Sequence, residues 1–139
     1  MKPDSDKLGQ LTVGMNDIRI TKIGGFLRRY KLDEFPQFIN VFMGEMSVVG
    51  PRPEVEKYVN LYNDEQRKVL TVRPGITDYA SLEYFKENEI LGNADDPERT
   101  YIEEVMPAKL ALNKKYLMNP GILRDFKIMW LTFLKMVKR

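Results

Sequence analysis

The chain has 139 residues, 43% of them hydrophobic and 30% charged, with a formal net charge of +2. That length suits one domain with a core of its own, and the charge is too small to argue for a nucleic-acid partner. The sequence holds no cysteine and no histidine, which excludes thiol nucleophiles, Cys/His zinc sites and any histidine acid-base step.

Residues 1–16 are polar, include Gly9 and Gly14, and show little periodicity, so they read as a loop or a frayed end. Met1 to Lys7 forms neither an apolar signal core nor a membrane-spanning run. Arg19 to Tyr30 brings Ile20, Ile23, Phe26 and Leu27 to one face, the pattern of a short helix, with Gly25 interrupting it. Asp33 and Glu34 stand just ahead of Pro36, and Phe35, Phe38, Ile39 and Phe42 recur at helical spacing. The two acids are therefore expected in the first turn of an amphipathic helix, facing its unpaired N–H groups. Met43-Gly44-Glu45 is a stop, and Met46 to Val49 a short apolar stretch suited to extended chain. Arg52 lies between Pro51 and Pro53 and precedes a helical pattern over about Pro53 to Tyr62, with proline at its first position. The flanking prolines fix its backbone and lower the entropy cost of presenting a guanidinium fork to a phosphate.

Asn63 to Gln66 opens another helix towards Leu70, Arg73-Pro74-Gly75 is a turn signal, and Ser81 to Asp96 reads as acidic and irregular. Asp96-Pro97 starts a long helix whose recurring face carries Ile102, Val105, Met106, Lys109, Leu110, Asn113, Tyr116 and Leu117, with Pro107 expected to bend or break it. Asn119-Pro120-Gly121 stops it, and residues 122–139 form a last amphipathic helix in which Phe126, Trp130 and Phe133 alternate with basic residues. That helix either packs into the core or lies on a membrane surface. The fold class is mainly α with a few short strands, in a single compact domain without internal repeats.

Taken singly, these residues have ordinary readings. Adjacent acids ahead of a helix are commonly caps, worth about 1 kcal/mol. Lone arginines such as Arg28 and Arg73 are commonly solvated surface charges. Their combination changes the weighing. Leu32-Asp33-Glu34, Pro36-Gln37 and Gly50-Pro51-Arg52-Pro53, extended by Asp17 to Arg28, Leu61 to Thr77 and Asp125 to Thr132, resemble the bacterial sugar transferase family. These are the monotopic phosphoglycosyl transferases that begin assembly of lipid-linked glycans of exopolysaccharide, capsule, O-antigen or glycoprotein.

The resemblance implies transfer of a sugar 1-phosphate from a UDP-sugar to a polyprenyl phosphate such as undecaprenyl phosphate, with release of UMP and use of magnesium. It makes Asp33 the nucleophile, through an aspartyl phosphosugar, and gives Glu34 a part in placing magnesium or accepting a proton. Asp33 and Glu34 are then the metal ligands, and Arg28, Arg52 and Arg73 the phosphate-binding set, with Pro51 and Pro53 framing Arg52. The implied partners are the UDP-sugar, the polyprenyl phosphate and the cytoplasmic face of the bacterial inner membrane, without nucleic acid. Similar family members begin with a membrane-embedded helix, whereas the resemblance here starts near Leu11, so this chain by itself is expected to be soluble. A further departure concerns the donor. Relatives carry Gly-Trp-Ala-Gln and then an arginine that reaches the nucleotide, where this chain has Asp78-Tyr79-Ala80-Ser81 and no matching arginine. Either another base such as Lys86 contacts the diphosphate, or the donor binds differently. That loss keeps open a rival reading, a non-catalytic module that retains the fold and docks on a membrane or a partner.

Overall fold

The structure, a computed structural model, describes residues 20–29 and 32–138, with Arg29 described by its backbone alone. The expected loop at 1–16, the Asp17 to Arg19 part of the resemblance, and Lys31 lie outside the described residues. As expected, the architecture is mainly helical, with two short strands among the described residues. Helix α1, Lys22–Arg29, starts at Thr21, whose hydroxyl accepts the Gly24 amide at 3.0 Å, and it runs through Gly25 without interruption. A 3-10 turn at Leu32–Glu34 leads into α2, Gln37–Phe42. Strand β1, Ser47–Val49, pairs in parallel with β2, Gly75–Thr77, in the register Ser47 to Gly75 and Val49 to Thr77.

Between the strands lie α3, Glu56–Val59, and α4, Asp64–Arg67, the latter continuing as a 3-10 turn over Lys68–Thr71. The start of α4 follows from its sequence. The Asn63 side chain accepts the Gln66 amide and the Gln66 side chain accepts the Asn63 amide, both at 2.9 Å, a reciprocal capping box. The helix expected over Pro53 to Tyr62 is shorter than its pattern, because Val55 is still extended and no side chain caps the start. The stretch expected to be irregular, Ser81 to Asp96, is instead largely helical: α5, Tyr79–Glu83, begins on Asp78, and α6, Glu87–Gly92, follows. Leu82 and Leu91 are both buried, so tertiary packing overrides the acidic composition.

The long helical run begins as expected at Asp96, whose carboxylate accepts the Arg99 amide at 3.0 Å, with Pro97 in the first turn of α7, Pro97–Thr100. Pro107 does not break it. A π turn at Tyr101–Val105 stands just ahead, and there the Met106 amide reaches the Tyr101 carbonyl five residues back. The widened backbone absorbs a proline that has no N–H to donate. Helix α8, Met106–Met118, then continues with Met106, Leu110, Asn113 and Tyr116 buried, the face its spacing implied. Helix α9, Ile122–Val137, buries Ile128 and holds Thr132 Oγ1 2.8 Å from Thr77 Oγ1, which ties it to β2.

Two apolar clusters result. One joins Tyr58, Tyr62, Leu91, Tyr101, Met106 and Leu110, with the Tyr58 and Tyr101 rings 4.9 Å apart. The other joins Val49, Leu82, Tyr116 and Ile128, and so clamps the end of β1 among α5, α8 and α9. Beyond Val49 the chain folds against β2: the Gly50 amide donates to the Thr77 carbonyl at 3.0 Å, and the Gly75 amide to the Pro51 carbonyl at 3.2 Å. Gly75, expected in a turn, therefore lies in a strand and has a strict spatial role. A Cβ there would fall 2.2 Å from the Gly50 nitrogen and 2.3 Å from its oxygen. Gly75→Ala is expected to cost roughly 2–3 kcal/mol, since backbone has to move, and to shift Arg52 with it. Urea unfolding of the two proteins checks this, and an unchanged midpoint would show that the strands separate freely.

Candidate active site

Helix α2 begins at Pro36 without a side-chain cap, and the Phe35 amide is already paired with the Leu32 carbonyl at 3.2 Å. Asp33 and Glu34 thus sit in the 3-10 turn before α2, not in its first turn, and the expectation that they meet unpaired helix amides is corrected. The proline at 36 allows this, since it has no N–H for an acid to cap. Nor does α2 bury its apolar face: Phe35, Phe38 and Ile39 are exposed, and Phe42 is 93% exposed.

Each acid meets an arginine. Arg52 Nη1 donates to Glu34 Oε1 at 3.1 Å, and Arg28 Nε stands 3.9 Å from Asp33 Oδ2. The first is a hydrogen-bonded ion pair. The second is too long for a hydrogen bond, so the Asp33 carboxylate, with 39% of its side chain exposed, can be reached by an incoming group. Arg28 comes from α1 and Arg52 from the segment after β1, so three separate pieces of chain converge here.

Arg52 is positioned from below. Pro51 is fully buried, and the Arg52 amide donates to Asp78 Oδ2 over a long 3.4 Å. Asp78 is itself buried, and its other oxygen accepts the Ser81 amide at 2.6 Å to cap α5. One carboxylate therefore starts a helix and steadies the arginine segment. Spacing along the chain did not reveal this role, although aspartate is by itself a favoured N-cap residue. Pro53 is exposed and lies outside regular structure rather than being the first residue of a helix, which starts at Glu56.

Arg73 is not brought to the acids. Its guanidinium lies 3.8 Å from where a Cβ on Gly44 would be, beyond the opposite end of α2, and Gly44 itself has φ of 77°. Lys86, the substitute base, pairs with Glu89 at 3.1 Å on α6. Gln37, in the first turn of α2, carries a buried side-chain oxygen without a hydrogen-bond partner among the described residues. Among the described residues, no group of three or more Asp, Glu, His or Cys side chains stands close enough to hold a metal. A cation bound by Asp33 and Glu34 would therefore draw on oxygens from its substrate.

An acid pair faced by two arginines, on the exposed rim of a small helical domain, sets anionic oxygens beside guanidinium groups that can bind phosphate. The chain belongs to the bacterial sugar transferase family, which it matches over residues 1–139. It is 37% identical over 139 residues to the UDP-glucose:undecaprenyl-phosphate glucose-1-phosphate transferase of Klebsiella pneumoniae, covering 95% of this chain and 26% of that protein. The transferase of the same name from Escherichia coli K12 is 36% identical over 127 residues, covering 86% of this chain and 24% of that protein. A putative undecaprenyl-phosphate N-acetylgalactosaminyl 1-phosphate transferase of Bacillus subtilis is 43% identical over 65 residues, covering 47% of this chain and 36% of that protein. The chain thus spans about a quarter of the length of the first two relatives.

Proposed function

We propose that this chain is the catalytic part of a transferase that moves a sugar 1-phosphate from a UDP-sugar to a polyprenyl phosphate at the cytoplasmic face of the bacterial inner membrane. The observation that carries this reading is the pairing of Asp33 and Glu34 with Arg28 and Arg52 at one exposed rim. Asp33 attacks the sugar-linked phosphorus of the donor. A bond forms between its carboxylate oxygen and that phosphorus, the bond from phosphorus to the bridging oxygen breaks, and UMP leaves with the bridging oxygen. The sugar phosphate is then held on Asp33 until an oxygen of the polyprenyl phosphate attacks the same phosphorus and releases the carboxylate.

Arg28 and Arg52 exchange their carboxylate partners for donor phosphate oxygens, which frees Asp33 to act and spreads the developing charge. Glu34, released from Arg52, orients the acceptor phosphate or takes its proton. Asp33 and Glu34 also offer the hard oxygen donors that suit magnesium when phosphates and water complete its shell. When bound, that ion would offset the charge of the diphosphate.

Contact with the membrane is supported by apolar side chains that the fold leaves exposed beside the acids. Ile23 and Phe26 of α1 and Phe38, Ile39 and Phe42 of α2 flank the site, and α9 carries an exposed stripe of Ile122, Phe126, Trp130, Phe133 and Val137. Among the described residues no helix is long and apolar enough to cross a bilayer, and the exposed apolar stripe of the amphipathic α9 suits contact within the headgroup interface.

The test is UMP release from a panel of UDP-sugars with magnesium and polyprenyl phosphate in detergent. Release with one sugar supports the reading. Binding of the donor without release would favour the non-catalytic module. A separate expectation concerns Arg52: Arg52→Ala weakens UDP-sugar binding about tenfold or more in a titration, with little loss of stability, because its ion pair is half exposed. Equal affinities would reduce Arg52 to a turn residue.

A further inference from the structure

Away from the acid pair, an open cleft of about 870 Å³ lies between the end of α8 and the start of α9. Lys115, Arg124 and Lys127 line it together with Tyr79, and among the described residues no acidic side chain does. Arg124 donates to the Asn119 carbonyl and so braces the loop between the helices. Among the described residues, Lys115 and Lys127 make no ion pair or side-chain hydrogen bond, unlike Lys57, Lys68, Lys86, Lys109 and Lys114, each of which meets a glutamate. The nearby Asp125 does not neutralise them by a bond of its own, since its carboxylate accepts the Tyr116 hydroxyl at 2.7 Å.

The rim of the cleft is apolar. Met118 and Leu123 line it and are 79% and 87% exposed, and Ile122 beside them begins the exposed stripe of α9. Leu123, Lys127 and Trp130 succeed one another along that helix at spacings of four and three, so cation and apolar stripe adjoin. A site with unpaired cations inside and large apolar side chains at its edge matches a ligand with a phosphate at one end and hydrocarbon at the other.

We infer that this cleft takes the phosphate headgroup of an anionic phospholipid and orients the domain on the bilayer. The inference rests on the proposed membrane contact and goes beyond it by naming the lipid class and the residues that select it. A soluble phosphate shares the headgroup chemistry but makes no use of the apolar rim.

The experiment is vesicle co-sedimentation of this chain with phosphatidylcholine alone and with phosphatidylcholine mixed with phosphatidylglycerol, at constant ionic strength. Wild type is expected to bind the anionic vesicles more tightly than the neutral ones. K115Q/K127Q is expected to lose that preference, on the order of thirtyfold for two cations at an anionic surface, while keeping its binding to neutral vesicles. The control K68Q/K86Q removes equal charge elsewhere and is expected to keep most of the preference. Equal losses in the two double variants would overturn the cleft and leave diffuse attraction. Binding to neutral vesicles without any gain from phosphatidylglycerol overturns this inference alone, and no binding to either kind removes the membrane contact as well. Saturable binding of inorganic phosphate, lost in K115Q/K127Q and without any vesicle preference, would reassign the cleft to a soluble anion.

Discussion

Asp33→Asn is expected to abolish turnover, with a loss on the order of a thousandfold or more, and to leave the fold nearly untouched. The expected loss follows from the role: an amide cannot supply the anionic oxygen that holds the phosphosugar. The expected stability follows from the surroundings. Asp33 is exposed, caps no helix, and stands 3.9 Å from Arg28, a pair of the kind worth about 0–1 kcal/mol. Thermal unfolding and UMP release measured on the same preparation separate the two effects. Full activity in the variant would remove Asp33 from the nucleophile role, and a collapsed melting temperature would make it structural.

The second large effect lies at Lys109. Its ammonium bonds Glu54 Oε1 at 2.8 Å and Glu87 Oε2 at 3.0 Å and lies 5.5 Å from the centre of the Tyr101 ring. Lys109→Met leaves two mostly buried carboxylates facing each other without a cation, which is expected to cost about 3–5 kcal/mol. For a domain of this size that is a drop of about 10–15 °C in melting temperature. Adding E54Q and E87Q to the Lys109→Met protein is expected to recover part of the loss, because the uncompensated charge is then gone. Glu54 follows Arg52 by two residues, so weaker donor binding should accompany the instability.

The pH dependence of this effect has a definite sign. Burial pulls the Lys109 pKa down, but the attraction of Glu54 and Glu87 and the hydrogen bonds to both outweigh it, so the net shift is upward from 10.5. A raised lysine contributes fully below its unfolded pKa of 10.5, and that contribution is lost as the pH climbs through the higher folded value. The stability difference between wild type and Lys109→Met should therefore stay flat through neutral pH and shrink only above about pH 10.5. Chemical denaturation across that range checks it, and a difference that vanished near neutrality would contradict the pairing. The same network pushes the Tyr62 hydroxyl up to about 12, through burial first and then the charge of Glu54.

What could be read from the chain was what local chemistry decides. The Asn63 and Gln66 caps, the Asp96-Pro97 start, the buried face of α8 and the extent of α9 depend on neighbours within one or two turns. The parts that could not be read depend on contacts made at long range. Periodicity at Phe35, Phe38, Ile39 and Phe42 gave α2 an apolar face but not what covers it, and in the domain that face is exposed. Gly75 carried the signal of a turn, whereas its reason for being glycine is the Gly50 backbone against it. Asp78 was noticed as a departure from relatives, and its use as a support for Arg52 appears only once β2 brings residues 26 apart together. At the site, the family resemblance pointed to Asp33, Glu34, Arg28, Arg52 and Arg73, and only the fold shows that Arg28 and Arg52 meet the acids while Arg73 lies beside Gly44.

A covalent phosphosugar on Asp33 is detected most directly by the intact mass of the chain after incubation with a UDP-sugar and magnesium, without acceptor. A gain equal to one sugar phosphate, accompanied by UMP, lost on adding polyprenyl phosphate and absent from Asp33→Asn, is the predicted result. Turnover to UMP and lipid-linked product with no mass gain in any sample, or the same gain in Asp33→Asn, would contradict it.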